Sequence, residues 1–353
     1  MKVRRIQKVG RNTLVVSLPY DWAEKVDLKK GDLVIFEELR DGSLNLRPYK
    51  NKTEQICEEC VINSDLCNEP GLLERIIVSN YIMGRDTIKI ISSRRIRREH
   101  LSEIRGIVQK LLGLSIMEES DKRVLLRCSL NITAFPVHLL LGRLYVIAST
   151  MHKECMQALI EFNADLAEAV IMREEEADKI YWLTLRALLS AQMYREVALK
   201  VGLEDVRRIL GNRVIAHHLE RIADWCEIIA RNALGIIKND YRLKPELLQK
   251  IQRFNELCFE THYKAMQALY KCDVKGASNV VKLYKNEIEG KEETLTKEAI
   301  ENAPTAACPF LRTVLFGIRR IAELGAEIAE IAMNRALEES SEICKVNHVC
   351  FTD

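Results

Sequence analysis

Apolar and polar residues alternate in short runs over the first 48 or so residues, from Val3 to Val9 and from Thr13 to Leu18, with breaks at Gly10-Arg11-Asn12 and Pro19. A period of two predicts strands. A short amphipathic turn covers Tyr20 to Val26, and Leu28-Lys29-Lys30-Gly31-Asp32 turns the chain into a third strand, Leu33 to Leu39. Asp41-Gly42 then makes a two-residue hairpin into Leu44 to Arg47. Four strands this short bury too little for a core of their own, so strand exchange with a second copy is predicted.

Residues 51–69 are polar, with Asn63, Ser64, Asp65, Asn68 and Glu69 ahead of Pro70-Gly71, and are expected to be a connection. From Leu72 the period changes repeatedly: an amphipathic helix to about Met83, a strand Thr87 to Ile91, a helix Arg98 to Leu112, then strands Leu114 to Glu118 and Arg123 to Cys128. A small α+β module over 71–130 follows. Beyond Asn131 the helical period holds throughout, and no proline stands between Pro136 and Pro245. The pattern also repeats. Met156-Gln157-Ala158-Leu159 returns as Met266-Gln267-Ala268-Leu269, and Leu219 to Asp224 is echoed by Ile318 to Glu323. Two similar halves, 131–240 and 245–340, are predicted, each a long hairpin plus a third helix. Ile215, Leu219, Ile222, Cys226, Ile229 and Ala233 mark the stripe that the third helix of the first half buries. The expected fold class is mainly α with small β and α+β parts: a β segment over 1–50, the module, and a duplicated helical array over 131–340.

Composition narrows the class. With 353 residues, 48% hydrophobic and 29% charged, the chain can fill two or three cores, which excludes a stapled mini-protein and a disordered chain. No run approaches about 18 consecutive apolar residues, and Met1 to Gly10 is too polar for a signal peptide, so a cytoplasmic protein is expected. The 11 cysteines are odd in number and scattered, several on helical apolar stripes, as with Cys226 and Cys258, and read as reduced thiols. Cys57, Cys60 and Cys67 give one C-x2-C with a third cysteine near it, but no clear fourth ligand for a structural zinc follows.

The formal charge of +2 conceals an asymmetry, because residues 1–50 carry 11 Lys/Arg against 7 Asp/Glu. Within them Lys2, Arg4, Arg5, Lys8 and Arg11 stand before any acid, a footprint suited to phosphate backbones or, more plainly, a charged edge strand. Arg94, Arg95, Arg97 and Arg98 offer a second cationic run, read first as a solvated strand-to-helix junction and only second as an aid to nucleic-acid binding.

The order strand, GRNTLVVSLPYDW, LKKGD, strand, DG, strand resembles the AbrB/SpoVT swapped-hairpin family over about 48 residues, including Ser17-Leu18-Pro19, Trp22 and Lys30-Gly31-Asp32. The resemblance implies a homodimeric β-barrel whose basic N-terminal hairpin sits on DNA. Arg4, Arg5, Lys8 and Arg11 then take phosphate contacts, and Asn12 is the candidate for a base edge. The same scaffold serves antitoxins with disordered tails, whereas the chain downstream here reads as folded.

At 100° per residue Glu220, Asp224 and Glu227 share one helix face with His217 close by, roughly opposite the buried stripe, and are expected to be surface acids. Carboxylates at i and i+4 repel, so a helix gains nothing from them alone. A hard cation shared between them would help, as would Arg221, Arg231 or solvent.

The paired three-helix halves and the LERIAD segment are similar to the PhoU family of phosphate-uptake regulators, from about Thr133 to Leu337. Asp165 to Val170 and Glu174 to Asp178 suit the family's first hairpin. That resemblance implies an E/D-x3-D motif on the third helix of each half, holding a divalent metal, often iron or zinc. Glu220 and Asp224 match the first copy, and Asp165, Glu168 or Asp178 are the neighbours that would complete it. In the second copy Arg319 stands where the first acid should be, leaving Glu323 and, one turn on, Glu327, so a weak or absent second site is expected.

Catalytic motifs are missing. There is no G-x4-GK[ST], no G-x-G-x-x-G, no nucleophile elbow and no pair of E-x-x-H motifs for a di-metal bundle, so no enzyme is expected. The combined expectation is a homodimeric DNA-binding regulator of phosphate uptake. The principal alternative is an adaptor that docks on a phosphate transporter or a sensor protein and uses the N-terminal barrel only to dimerise. A third is a chromatin-like protein without sequence preference.

Overall fold

The computed structural model describes residues 3–38, 42–49, 59–338, 340 and 343–345, which fall into two compact units, residues 1–57 and 58–353. Lys2, Leu39, Asp41 and Cys57 therefore lie outside the described residues.

In the first unit β1 (Gln7–Val9) pairs antiparallel with β2 (Thr13–Val15), Lys8 opposite Leu14, around a turn in which Gly10 has φ of +69°. Helix α1 (Tyr20–Lys25) starts directly after Pro19, whose fixed φ suits a helix entrance. β3 (Val34–Glu38) pairs antiparallel with β4 (Leu44–Pro48), Phe36 opposite Leu46. The described residues of this unit make two separate two-stranded sheets and no closed barrel. Their apolar side chains are open to solvent: Val3 is 79% exposed, Leu14 67% and Phe36 61%. Two-stranded hairpins with uncovered apolar faces are marginal by themselves, because nothing offsets the entropy of ordering them.

The second unit begins with a four-stranded sheet of β5 (Glu59–Asn63), β6 (Thr87–Ile91), β7 (Leu114–Glu119) and β8 (Arg123–Cys128) in the order β5-β6-β8-β7. β5 runs parallel to β6 through the crossover helix α2 (Leu72–Ile82), while β8 is antiparallel to both its neighbours. This corrects the expected connection over residues 51–69. The sheet starts at Glu59, and the strand was obscured because Ile62 alone is fully buried and polar Asn63-Ser64-Asp65 follows at once. Helix α3 (Arg98–Lys110) joins α2 over the sheet, and Leu73, Ile77, Tyr81, Ile88, Ile90, Ile104, Val124 and Leu126 close the core between them. The arginine run divides here. All four are exposed, but Arg97 is tied down, donating to the Cys67 carbonyl at 2.6 Å.

The helical array follows. Its first half holds α4 (Val137–Ile160), α5 (Ala164–Met193), the short α6 (Arg195–Lys200) and α7 (Arg207–Lys238). Its second half holds α8 (Pro245–Lys271), α9 (Val274–Leu283) running into a π-helical turn at Tyr284–Ile288, α10 (Lys291–Asn302) and α11 (Cys308–Ala336). One continuous apolar core runs through both halves, with the predicted stripe Ile215, Leu219, Ile222, Cys226, Ile229 and Ala233 fully buried. Where α4 meets α8 the halves share a polar seam: His152 Nδ1 and His262 Nε2 lie 3.0 Å apart, and the other nitrogen of His152 is 2.8 Å from Asn255 Oδ1. Because an amide oxygen only accepts, His152 Nε2 donates to it, and His262 then donates to His152.

Helix α5 also carries the α+β module. Its buried Arg186 donates to the Tyr81 carbonyl at 2.6 Å and pairs with Asp86, filling the corner between α2 and β6. A guanidinium that satisfies several backbone carbonyls at once fixes this junction more firmly than apolar contact alone.

Candidate functional site

Helices α5 and α7 run side by side, and one edge of their contact gathers five acids: Glu174 and Asp178 on α5, Glu220, Asp224 and Glu227 on α7. The expectation of surface acids is corrected here. The Glu220 side chain is only 16% exposed and that of Asp224 21%, because α5 covers the flank that a single helical wheel shows as open.

Burial sets the electrostatics. It is the first cause that drives Glu220 up to about 8, with the charges of Asp224 and Asp178 adding to it. Glu174 is pushed up to about 7 by burial and then by Asp178, and Asp178 to about 6 by burial and then by Asp224. Asp224 is raised as well, chiefly by burial, against the pull of Arg221. Lys110, the last residue of α3, works in the opposite direction on Glu174 and Asp178.

The local cations answer only part of this charge. Arg221 donates to Asp224 at 2.7 Å and Arg231 to Glu227 at 2.6 Å. Glu220 Oε2 is buried with no hydrogen-bond partner, and His217 Nδ1 stands 3.6 Å away, too far to donate well. Burial lowers the pKa of that imidazole, followed by the charge of Arg221. A face of crowded oxygen donors with one orphaned atom suits a hard divalent cation in charge and donor type. Among the described residues no three His, Cys, Asp or Glu side chains already converge on one coordination point, so the fit rests on chemistry and charge.

The other expected ligands are placed elsewhere. Glu168 pairs with Lys238 at 3.0 Å, and Asp165 sits in the first turn of α5, where an acid complements the helix dipole. Glu323 is engaged by two guanidiniums, and Glu327 faces His218 of α7 at 3.4 Å rather than Glu323. The residue that spacing did not single out is Glu174. It stood only within a matching segment, and its closeness to α7 depends on how two helices pack. Cys67 is buried in the α+β core and Cys60 is half-buried on β5.

The basic residues of the first unit are displayed. Arg4, Arg5, Lys8, Arg11 and Asn12 are all exposed, with Lys8 on β1 and Arg11-Asn12 in the turn before β2. Cations on both the strand and the tip of a short ribbon can follow a phosphate backbone.

Comparison with known proteins finds matches in both parts of the chain. Residues 141–233 match the PhoU domain, and residues 7–54 match the family of the antidote-toxin recognition protein MazE, a bacterial antitoxin. The crystal structure of PhoU from Pseudomonas aeruginosa aligns with a TM-score of 0.48 at 18% identity, covering 56% of this chain and 94% of that one. No curated protein matches the sequence. The matched PhoU residues lie in the first half, which carries the acid face.

Proposed function

We propose that this chain is a cytoplasmic, homodimeric DNA-binding regulator of phosphate homeostasis, without catalytic activity, whose helical array receives the signal. The observation that carries it is the joining in one chain of a MazE-type segment, with its exposed cations, to a PhoU domain. Two copies of the N-terminal unit would cover each other's apolar faces and present about ten cations to one duplex, so binding would be steeply salt-dependent.

The test replaces Arg4, Arg5, Lys8 and Arg11 with Ser and follows binding to promoter DNA between 50 and 200 mM salt. The slope of log affinity against log salt should flatten by about 0.9 for each phosphate that the variant no longer neutralises. An unchanged slope would remove the hairpin from the interface. Scrambled DNA at one salt concentration separates a sequence-reading protein from a chromatin-like one.

Glu220 and Asp224, helped by Asp178 and Glu174, would hold the divalent metal, iron or zinc by resemblance. Such a cation would supply the positive charge that the acid face lacks. Elemental analysis of Glu220→Gln/Asp224→Asn against the wild type tests it, and equal metal content in both excludes the site. The alternative, an adaptor for a phosphate transporter or a sensor protein, is favoured by apolar residues left exposed on α4 and α8, among them Leu139, Val146, Tyr263 and Tyr270. DNA binding that survives the removal of the four cations would point to it.

A further inference from the structure

The halves of the array can be aligned through features the structure fixes. Asn163 and Asp273 cap α5 and α9 alike, each accepting from the backbone N–H three residues on, and each follows a residue with φ near +50°. In that register Ala167 and Val170 fall on Ala277 and Val280, all four buried. The same register puts Tyr284 at the position of Glu174 and Ile288 at that of Asp178. On the third helices Arg319 stands at Glu220, Glu323 at Asp224, Ala326 at Glu227 and Phe316 at His217. Of the five acids on the first half's face, the second half keeps a carboxylate at Glu323 alone.

The replacements make contact with one another. Arg319 Nη1 donates to the Tyr284 hydroxyl at 3.2 Å and to Glu323 Oε2 at 2.7 Å, its Nε donates to Glu292 Oε2 at 3.3 Å, and its guanidinium lies 5.0 Å from the centre of the Phe316 ring. Arg320 adds a second pair to Glu323 at 2.6 Å. Glu292 has no counterpart on the first half's face. Helix α5 runs unbroken, whereas the π turn at Tyr284–Ile288 and Gly290, with φ of +90°, interrupt the second half, and α10 restarts with Glu292 in its first turn beside Arg319. Two carboxylates thus face two guanidiniums, while the first half sets five acids against Arg221, Arg231 and Lys110. A divalent cation approaching the Arg319 position would meet two carboxylates already matched by two guanidiniums, with Glu327 a further acid one turn on. It would also have to displace a guanidinium already held by three oxygens.

We propose that Arg319 is a resident counter-ion that fills the second half's acid face in place of a divalent cation, so that only the first half of the array responds to such a cation. This deepens the cation reading of Glu220 and Asp224 and rests on it for the first half alone.

Mn2+ uptake by the purified full chain, followed through the electron-spin-resonance signal of the free ion, tests it. Glu220→Gln/Asp224→Asn silences the first face. That chain should take up no Mn2+ with saturation, and adding Arg319→Glu should create one saturable site per chain. A saturable site in the silenced chain that disappears with Glu323→Gln, or no gain on Arg319→Glu in a chain that still melts cooperatively, overturns the assignment. Stability gives a second readout. Arg319→Met should lower the melting temperature, and Glu292→Gln/Glu323→Gln in the same chain should recover at least half of the decrease. Failure to recover would mean that Arg319 only packs on Phe316. Absence of uptake in the wild type would count against the first face alone, since the gain on Arg319→Glu would still carry the second.

Discussion

Glu220 and the histidine seam pull the stability of the array in opposite directions as pH changes. Glu220, Glu174 and Asp178 ionise at higher pH in the folded chain than in the unfolded one, so their contribution is most favourable below the ordinary carboxylate range and is lost as pH rises towards about 8. Glu220→Gln should therefore raise the melting temperature at pH 8, with a gain that shrinks towards pH 5, as calorimetry at a series of pH values would measure. His152 is lowered to about 4 by burial, and His262 well below its ordinary value for the same first reason. Both stay neutral when folded and take protons when unfolded, so stability is lost as pH falls from the ordinary histidine range towards 4. A maximum in weakly acidic solution follows. The pairing of Glu220 with Asp224 was legible from spacing, since i and i+4 share a helix face whatever the fold. Their burial was not, because it depends on α5 lying alongside, and no periodicity records which helix a face will meet.

Elements were legible where the apolar period was long. The third helix of the first half and its buried stripe follow from the 3.6-residue repeat, and Pro245 marks the start of α8. The short edge strand β5 and the break between α9 and α10 escaped, since neither a five-residue strand nor a π turn leaves a periodic signal. Helix crossings escaped as well, although glycine marks one of them. At Gly325 of α11 a Cβ would stand 2.6 Å from the backbone nitrogen of His262 on α8, closer than real contacts allow. Its counterpart on the first half is Cys226, whose side chain is fully buried. Gly325→Val must push α8 away and strain the seam at His262. Overpacking of this kind costs about 1–3 kcal/mol, read as a lower urea midpoint with an unchanged denaturant slope.

At the scale of the whole molecule, the first unit leaves apolar side chains on both hairpins uncovered, and under the proposed function the cations of one chain would be too few to hold DNA firmly. A second copy resolves both problems, because the faces that need burial and the ribbons that need doubling belong to the same unit. Sedimentation of the full chain should then give a dimer that persists at high salt, since the contact is apolar rather than ionic. Phe36→Lys, which places a charge on β3 where the partner's strand would lie, should shift the chain towards monomer without altering the helical melt, because α4 to α11 have their own core. The DNA prediction follows from the same change. A monomer retains one ribbon, so its salt slope should fall to about half that of the dimer, as each neutralised phosphate adds its own share of released counterions. A Phe36→Lys chain that sediments as a monomer yet keeps the full slope would show that a single ribbon is sufficient, and the requirement for a second copy would fall away.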